Sequence, residues 1–104
     1  MKIEPELSDL ATWHAAFGKW GATREAGMAT EELAETITAI NHMNRGRISA
    51  TDEFINELAD AFVCNLQIVE NRDLWDEFHA ALKVSFAKLS AKLMADDSNH
   101  RSKT

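Results

Sequence analysis

Helix breakers are scarce in this chain. Pro5 is the only proline, and there are four glycines in 104 residues, three of them (Gly18, Gly21 and Gly27) in one short stretch. Proline and glycine are the residues that most disfavour helix interiors. A chain so poor in both is expected to be mostly helical. Cysteine is as rare. Cys64 stands alone, which excludes an intrachain disulfide and any zinc-knuckle pattern. No apolar run approaches the roughly 20 residues that cross a bilayer, so no membrane partner is expected. Met1-Lys2-Ile3-Glu4-Pro5 lacks the apolar core of a signal peptide. The expected compartment is cytoplasmic and reducing. Basic residues are the minority, 11 Lys and Arg against 17 Asp and Glu, for a formal net charge of −6. Phosphate backbones repel such a chain, so no nucleic-acid polymer is expected as a partner. A small anionic substrate remains open if a metal and a few basic side chains neutralise it locally.

What is present is a 45% apolar, globular composition of single-domain length. The periodicity predicts four helices. The first runs from about Pro5 to Phe17, with Leu7, Leu10, His14 and Phe17 recurring at helical spacing. Gly18-Lys19-Trp20-Gly21 interrupts it. The second runs from about Arg24 to Asn44 with Leu33, Ile37 and Ile40 as its apolar stripe, and Asn44-Arg45-Gly46-Arg47 is a stop and a basic loop. Thr51 followed by Asp52 and Glu53 is a good start for a third helix, a capping hydroxyl and then acids in the first turn. That helix runs to about Glu70. Asp73 is placed to cap a fourth helix from about Leu74 to Met94. The single all-α domain is thus expected over 1–94, with 95–104 as a polar, frayed tail. The third helix is apolar nearly all round, eleven of sixteen residues from Phe54 to Val69. Such a helix expects cover on most sides, and a homo-oligomer is the simpler way to provide it.

Two acidic clusters stand out, Glu31-Glu32-Leu33-Ala34-Glu35 in the second helix and Glu57-Leu58-Ala59-Asp60 in the third. Residues three apart share a helix face, so Glu32 pairs with Glu35 and Glu57 with Asp60. Glu32 and Glu35 share a sector with Met28, Ala39 and Met43. Glu57 and Asp60 share one with Cys64 and border Ala61 and Ile68. Glu31 points further toward solvent. A glutamate pair on a helix is ordinarily solvated surface, but both pairs here border the core. If the two helices pack antiparallel, four carboxylates converge. That gathering is unfavourable without a cation, and it offers the oxygen ligands that Mg2+ takes.

The pattern Glu-Glu-x-x-Glu, then Glu-x-x-Asp one helix later, resembles the all-α nucleoside triphosphate pyrophosphohydrolases, the MazG-like proteins and their relatives. The likeness covers roughly Phe17 to Val69 and extends to Arg45-Gly46 after the second helix. It implies a four-helix MazG-like bundle completed by oligomerisation, as a homodimer or homotetramer. It implies Glu32, Glu35, Glu57 and Asp60 as ligands of Mg2+, for which Mn2+ substitutes. Glu31 and Glu35 would be the catalytic acids, Glu31 orienting a ligand or a water. The implied reaction converts a nucleoside or deoxynucleoside triphosphate and water to the monophosphate and pyrophosphate. The family's fourth helix holds phosphates with a Lys followed four residues later by an Arg. Lys88 and Lys92 have that spacing, but the second lacks the bidentate guanidinium fork, and Phe86 stands where the family often has Asn.

Other candidates keep two readings. Trp20 is either a base-stacking residue or part of a turn, whereas Trp13 is expected in the core. Arg45 and Arg47 either meet phosphates or belong to a solvated loop. Asn65 either contacts substrate or bonds to backbone. Cys64 is expected to be core, not a nucleophile, and His42 and His79 are expected at the surface. Two other functions stay open beside the pyrophosphohydrolase: a non-catalytic helical interaction module, motivated by Phe86 and the weakened basic helix, and a phosphoribosyl-ATP pyrophosphohydrolase.

Overall fold

The computed structural model describes residues 5–47 and 50–102. Among them are three helices and no strand: α1 (Leu7–Asn44), α2 (Ala50–Asn71) and α3 (Trp75–Ser102). The all-helical expectation holds. The count differs because the first two expected helices run together as α1 through Gly18 and Lys19. Their one non-helical residue is Gly21, at φ 83° and ψ 171°. That conformation is essentially restricted to glycine, so a single residue makes the break that the sequence spreads over four.

α1 begins at Leu7, two residues after Pro5. Glu6 is its N-cap, and the Glu6 N–H donates to Asp9 Oδ2 at 3.1 Å, one half of a capping box. The helix ends where the sequence stops it. Gly46 takes φ 73°, and its N–H donates to the Met43 carbonyl at 3.0 Å. α2 starts at Ala50, so Thr51 lies inside the helix rather than capping it. Residues 48 and 49 lie outside the described residues. α2 closes in a turn in which Asp73 has φ 54°, a left-handed conformation that Asp tolerates. Asp73 is therefore a turn residue and not the expected cap.

The chain divides after Asp73 into the α1–α2 pair and α3. The pair is antiparallel, since Glu25 meets Asn71, Thr36 meets Glu57 and His42 meets Glu53. Its buried face is built from Glu25, Ala29, Thr36 and Ala39 of α1 and Ala50, Ala61 and Leu66 of α2. Small residues here allow close approach of the two backbones, and Ala39 is 0% exposed. Trp13 is buried as expected. The expected stripe is not the buried one: Leu33 and Ile37 are 49% and 61% exposed. α2 likewise exposes Ile55, Phe62 and Val63.

α3 carries Asp76 and Glu77 in its first turn, where the helix dipole favours acids. Trp75 stacks on His79, ring centroids 5.8 Å apart. The helix exposes Val84, Phe86, Leu89, Leu93 and Met94. It does not end near Met94 but continues through Ser102, so 95–102 are helical, and 103 and 104 lie outside the described residues.

Candidate functional site

Seam positions on α1 repeat at 25, 29, 32, 36 and 39, and on α2 at 50, 57, 61 and 64, all buried or half-buried. This alternation of three and four is the spacing of paired helices. Glu32 and Glu57 therefore occupy places that ordinarily hold apolar side chains. Across the antiparallel seam, one carboxylate oxygen from each of Glu32, Glu35 and Glu57 lies within 4.8 Å of the others. Glu32 Oε2 and Glu57 Oε2 are buried with no hydrogen-bond partner. Glu35 is exposed and closes the cluster from the solvent side.

The electrostatics follow from the crowding. The Glu57 carboxyl is pushed up to about 7, first by a hydrogen bond to the Glu35 carboxylate, then by desolvation, then by the charges of Glu35, Glu32 and Asp60. Glu32 is also raised, by desolvation first and then by Glu35, Asp60 and Glu31. Without a cation, this crowding makes Glu57 hold its proton to a higher pH than an ordinary carboxyl does. Three carboxylates with an oxygen each at this separation, Glu32 and Glu57 among them also carrying a buried oxygen without a partner, are chemically suited to a divalent cation such as Mg2+. Such a cation would replace that proton.

Asp60 is exposed and stands outside the 4.8 Å set, yet its charge reaches Glu32, Glu57 and Cys64. Glu31 is exposed beside Glu32, whose carboxyl its charge raises. Cys64 is half-buried, and desolvation followed by the Glu32 and Asp60 charges pushes its thiol up, which suits a packing residue and not a nucleophile. Asn65 gives its Nδ2 to the Ala61 carbonyl at 2.8 Å, the backbone reading of the two. Arg45 is exposed at the end of α1, ten residues beyond Glu35, or about 15 Å along the helix. Lys88 and Lys92 are exposed on α3, one turn apart. His42 is half-buried, not a surface residue, with Nδ1 2.9 Å from Glu53 Oε1. That pair ties the loop end of α1 to the first turn of α2.

Along the same pair of helices lies a partly open cavity of about 200 Å3 lined by Phe17, Trp20, Arg24, Glu25, Met28 and Cys64 among others. Trp20 is among these lining residues, with Arg24 Cζ 5.1 Å from its ring centroid. Glu25 is the residue that sequence reasoning missed. It is only 9% exposed; Asn71 Nδ2 donates to its Oε2, and its Oε1 is buried without a partner. The signal was its place seven residues before Glu32, on the same helix face. No family model matches this chain, and neither a curated protein nor a solved structure matches it.

Proposed function

We propose that the chain is a Mg2+-dependent nucleoside triphosphate pyrophosphohydrolase that works as a homodimer or homotetramer. The observation that carries this reading is the set of three carboxylates within 4.8 Å at a helix seam, two with buried, unpartnered oxygens. Carboxylates in such a place are costly as pure structure, which favours a functional reason for them. The acidic pattern that resembles the MazG-like proteins supplies the choice of reaction. Glu32, Glu35 and Glu57 would hold the cation, with Asp60 alongside. A bound Mg2+ would supply Lewis-acid polarisation of phosphoryl oxygens and neutralise developing charge. Glu35 and Glu31, on the exposed side of the cluster, would orient a water for in-line attack on the α-phosphorus and take its proton. The new P–O bond forms as the α–β anhydride bond breaks, and pyrophosphate leaves with its electron pair.

The test is pyrophosphate release from a panel of ribo- and deoxyribonucleoside triphosphates with Mg2+, Mn2+ or EDTA. Release is expected with either cation and not with EDTA. Glu35→Ala and Asp60→Ala should each abolish it while circular dichroism stays helical. Retained turnover in both variants would sink the proposal. The exposed Leu33, Ile37, Ile55 and Phe62 favour one other reading, a non-catalytic interaction module. That reading predicts no release from any nucleotide, phosphoribosyl-ATP included.

A further inference from the structure

α3 carries a pattern that the carboxylate cluster does not explain. Trp75, His79, Leu82, Phe86, Leu89 and Leu93 recur at spacings of four, three, four, three and four, all within the one helix. At about 100° per residue they fall within about 80° of the helix circumference. A helix that packs into a globular core carries a broader apolar face; a stripe this narrow, alternating by four and three, is the seam of a helix pair. Its C-terminal half is open, with Phe86, Leu89 and Leu93 being 55%, 67% and 63% exposed.

The order of side chains along the stripe favours a second copy of the same helix. A copy laid antiparallel about Val84 sets Trp75 against the partner's Leu93, His79 against the partner's Leu89, and Leu82 against the partner's Phe86. Each layer repeats on the other side of the midpoint, as a twofold contact requires. All three rings then meet leucines, so large and small side chains alternate across every layer. A parallel pair would instead stack each ring on its own copy.

Charge picks the same direction. α3 has acids towards both ends, Asp76 with Glu77 and Asp96 with Asp97, and Lys83, Lys88 and Lys92 between them. A parallel pair would bring each acidic end against itself. The antiparallel pair puts Lys92 level with the partner's Asp76. It also puts Asp96 and Asp97 beside the start of the partner helix, where the dipole favours acids. Only Lys83 stays near its own copy, at the rim, where its long stem turns to water. Lipid is a poorer occupant, because a helix that lies on a membrane carries charge on its far face. The far face here holds Ala80, Val84, Ala87 and Ala91.

We infer that α3 is a self-association helix, whose stripe from Trp75 to Leu93 pairs antiparallel with the same stripe of a second copy. The inference rests on α3 alone. It names one contact surface for the proposed homo-oligomer and needs none of the proposed chemistry.

The experiment measures mass and direction in the full chain. Phe86→Glu and Leu89→Glu each put a charge into the seam, and each should weaken association at least about tenfold in analytical sedimentation. Direction is read with the stripe intact. Cys64→Ser removes the native thiol, Ala95→Cys carries a spin label, and pulsed electron resonance gives the distance between the labels of two copies. Position 95 lies level with position 73 of an antiparallel partner, 22 residues from that partner's label, or about 33 Å along the axis. A parallel pair would hold the labels within about 20 Å, roughly two helix diameters. The distance alone decides if a seam variant loses its helix. A short distance, or an unchanged mass in both folded variants, overturns the pairing. So does a wild type that stays monomeric, with the stripe turned to its own chain or to phosphatidylserine vesicles. Pyrophosphate release by such a monomer would leave the enzyme reading standing without the pairing. Antiparallel pairing in a protein that releases no pyrophosphate upholds the pairing and removes the enzyme reading.

Discussion

The Thr36 hydroxyl reaches across the helix seam to the Glu57 main-chain carbonyl at 3.2 Å while also lying 2.8 Å from the Glu32 carbonyl one turn back. One proton thus serves the backbones of both acids that sit in the seam, and Thr36 is buried. The bond fixes the register of α1 against α2 at the level of the carboxylates. Thr36→Val keeps the shape and removes the hydroxyl. It should cost about 1 kcal/mol of stability, read from urea midpoints, and weaken Mn2+ binding measured by calorimetry. An unchanged midpoint would show that this bond does not hold the register.

How far the sequence reached is clearest along this seam. The convergence of Glu32, Glu35 and Glu57 was legible because helical spacing alone decides which acids share a face, and the antiparallel pairing then brings the faces together. The C-terminal stop at Gly46 was legible for a similar reason, since a positive φ calls for glycine. The buried face of α1 was not. Periodicity picks out large apolar residues, hence Leu33, Ile37 and Ile40, whereas a close helix pair buries small ones, here Ala29, Thr36 and Ala39. Asp60, paired with Glu57 by spacing, falls outside the tightest set. Glu25 shares the face of Glu32 seven residues on, but nothing in the sequence shows that its oxygens will be enclosed.

Gly21 is the hinge between the two parts of α1, and it also lines the cavity. A Cβ there would meet nothing within 4 Å, so space is no obstacle. The obstacle is φ 83° with ψ 171°. Gly21→Ala should lose roughly 1–3 kcal/mol, seen as a lower urea midpoint. It should also change Trp20 fluorescence, because the indole is the hinge's immediate neighbour. A variant as stable as wild type would mean that α1 can straighten at no cost.

Ile37 is 61% exposed, and Leu33 one turn before it is 49% exposed. Exposed apolar residues that recur along a helix face are expected to meet a partner. The proposed homo-oligomer would cover them. Ile37→Glu should then lower the mass found by sedimentation while leaving the helical signal intact. Wild-type protein that sediments as a monomer at all concentrations would reject the self-association part of the proposal.

Glu57 makes the cluster a sensor of pH when no cation is present. Its folded carboxyl titrates near 7, against an ordinary value of 4.5, chiefly because the hydrogen bond to Glu35 needs the proton. Between those values the folded chain binds a proton that the unfolded chain has lost. Stability therefore falls as pH rises through that window and levels off above it. The prediction is comparative. In EDTA, wild type should lose stability relative to Glu57→Gln as pH goes from 4.5 to about 7, measured as urea midpoints at each pH. Saturating Mg2+ should reverse the trend for wild type, because a cation binds the deprotonated carboxylates and competes with the proton. Glu57→Gln should respond weakly to Mg2+ at every pH. Midpoints that run parallel in the two proteins would show that Glu57 does not carry the proton. A Mg2+ effect of equal size in both would show that Glu57 is not among the groups that hold the cation.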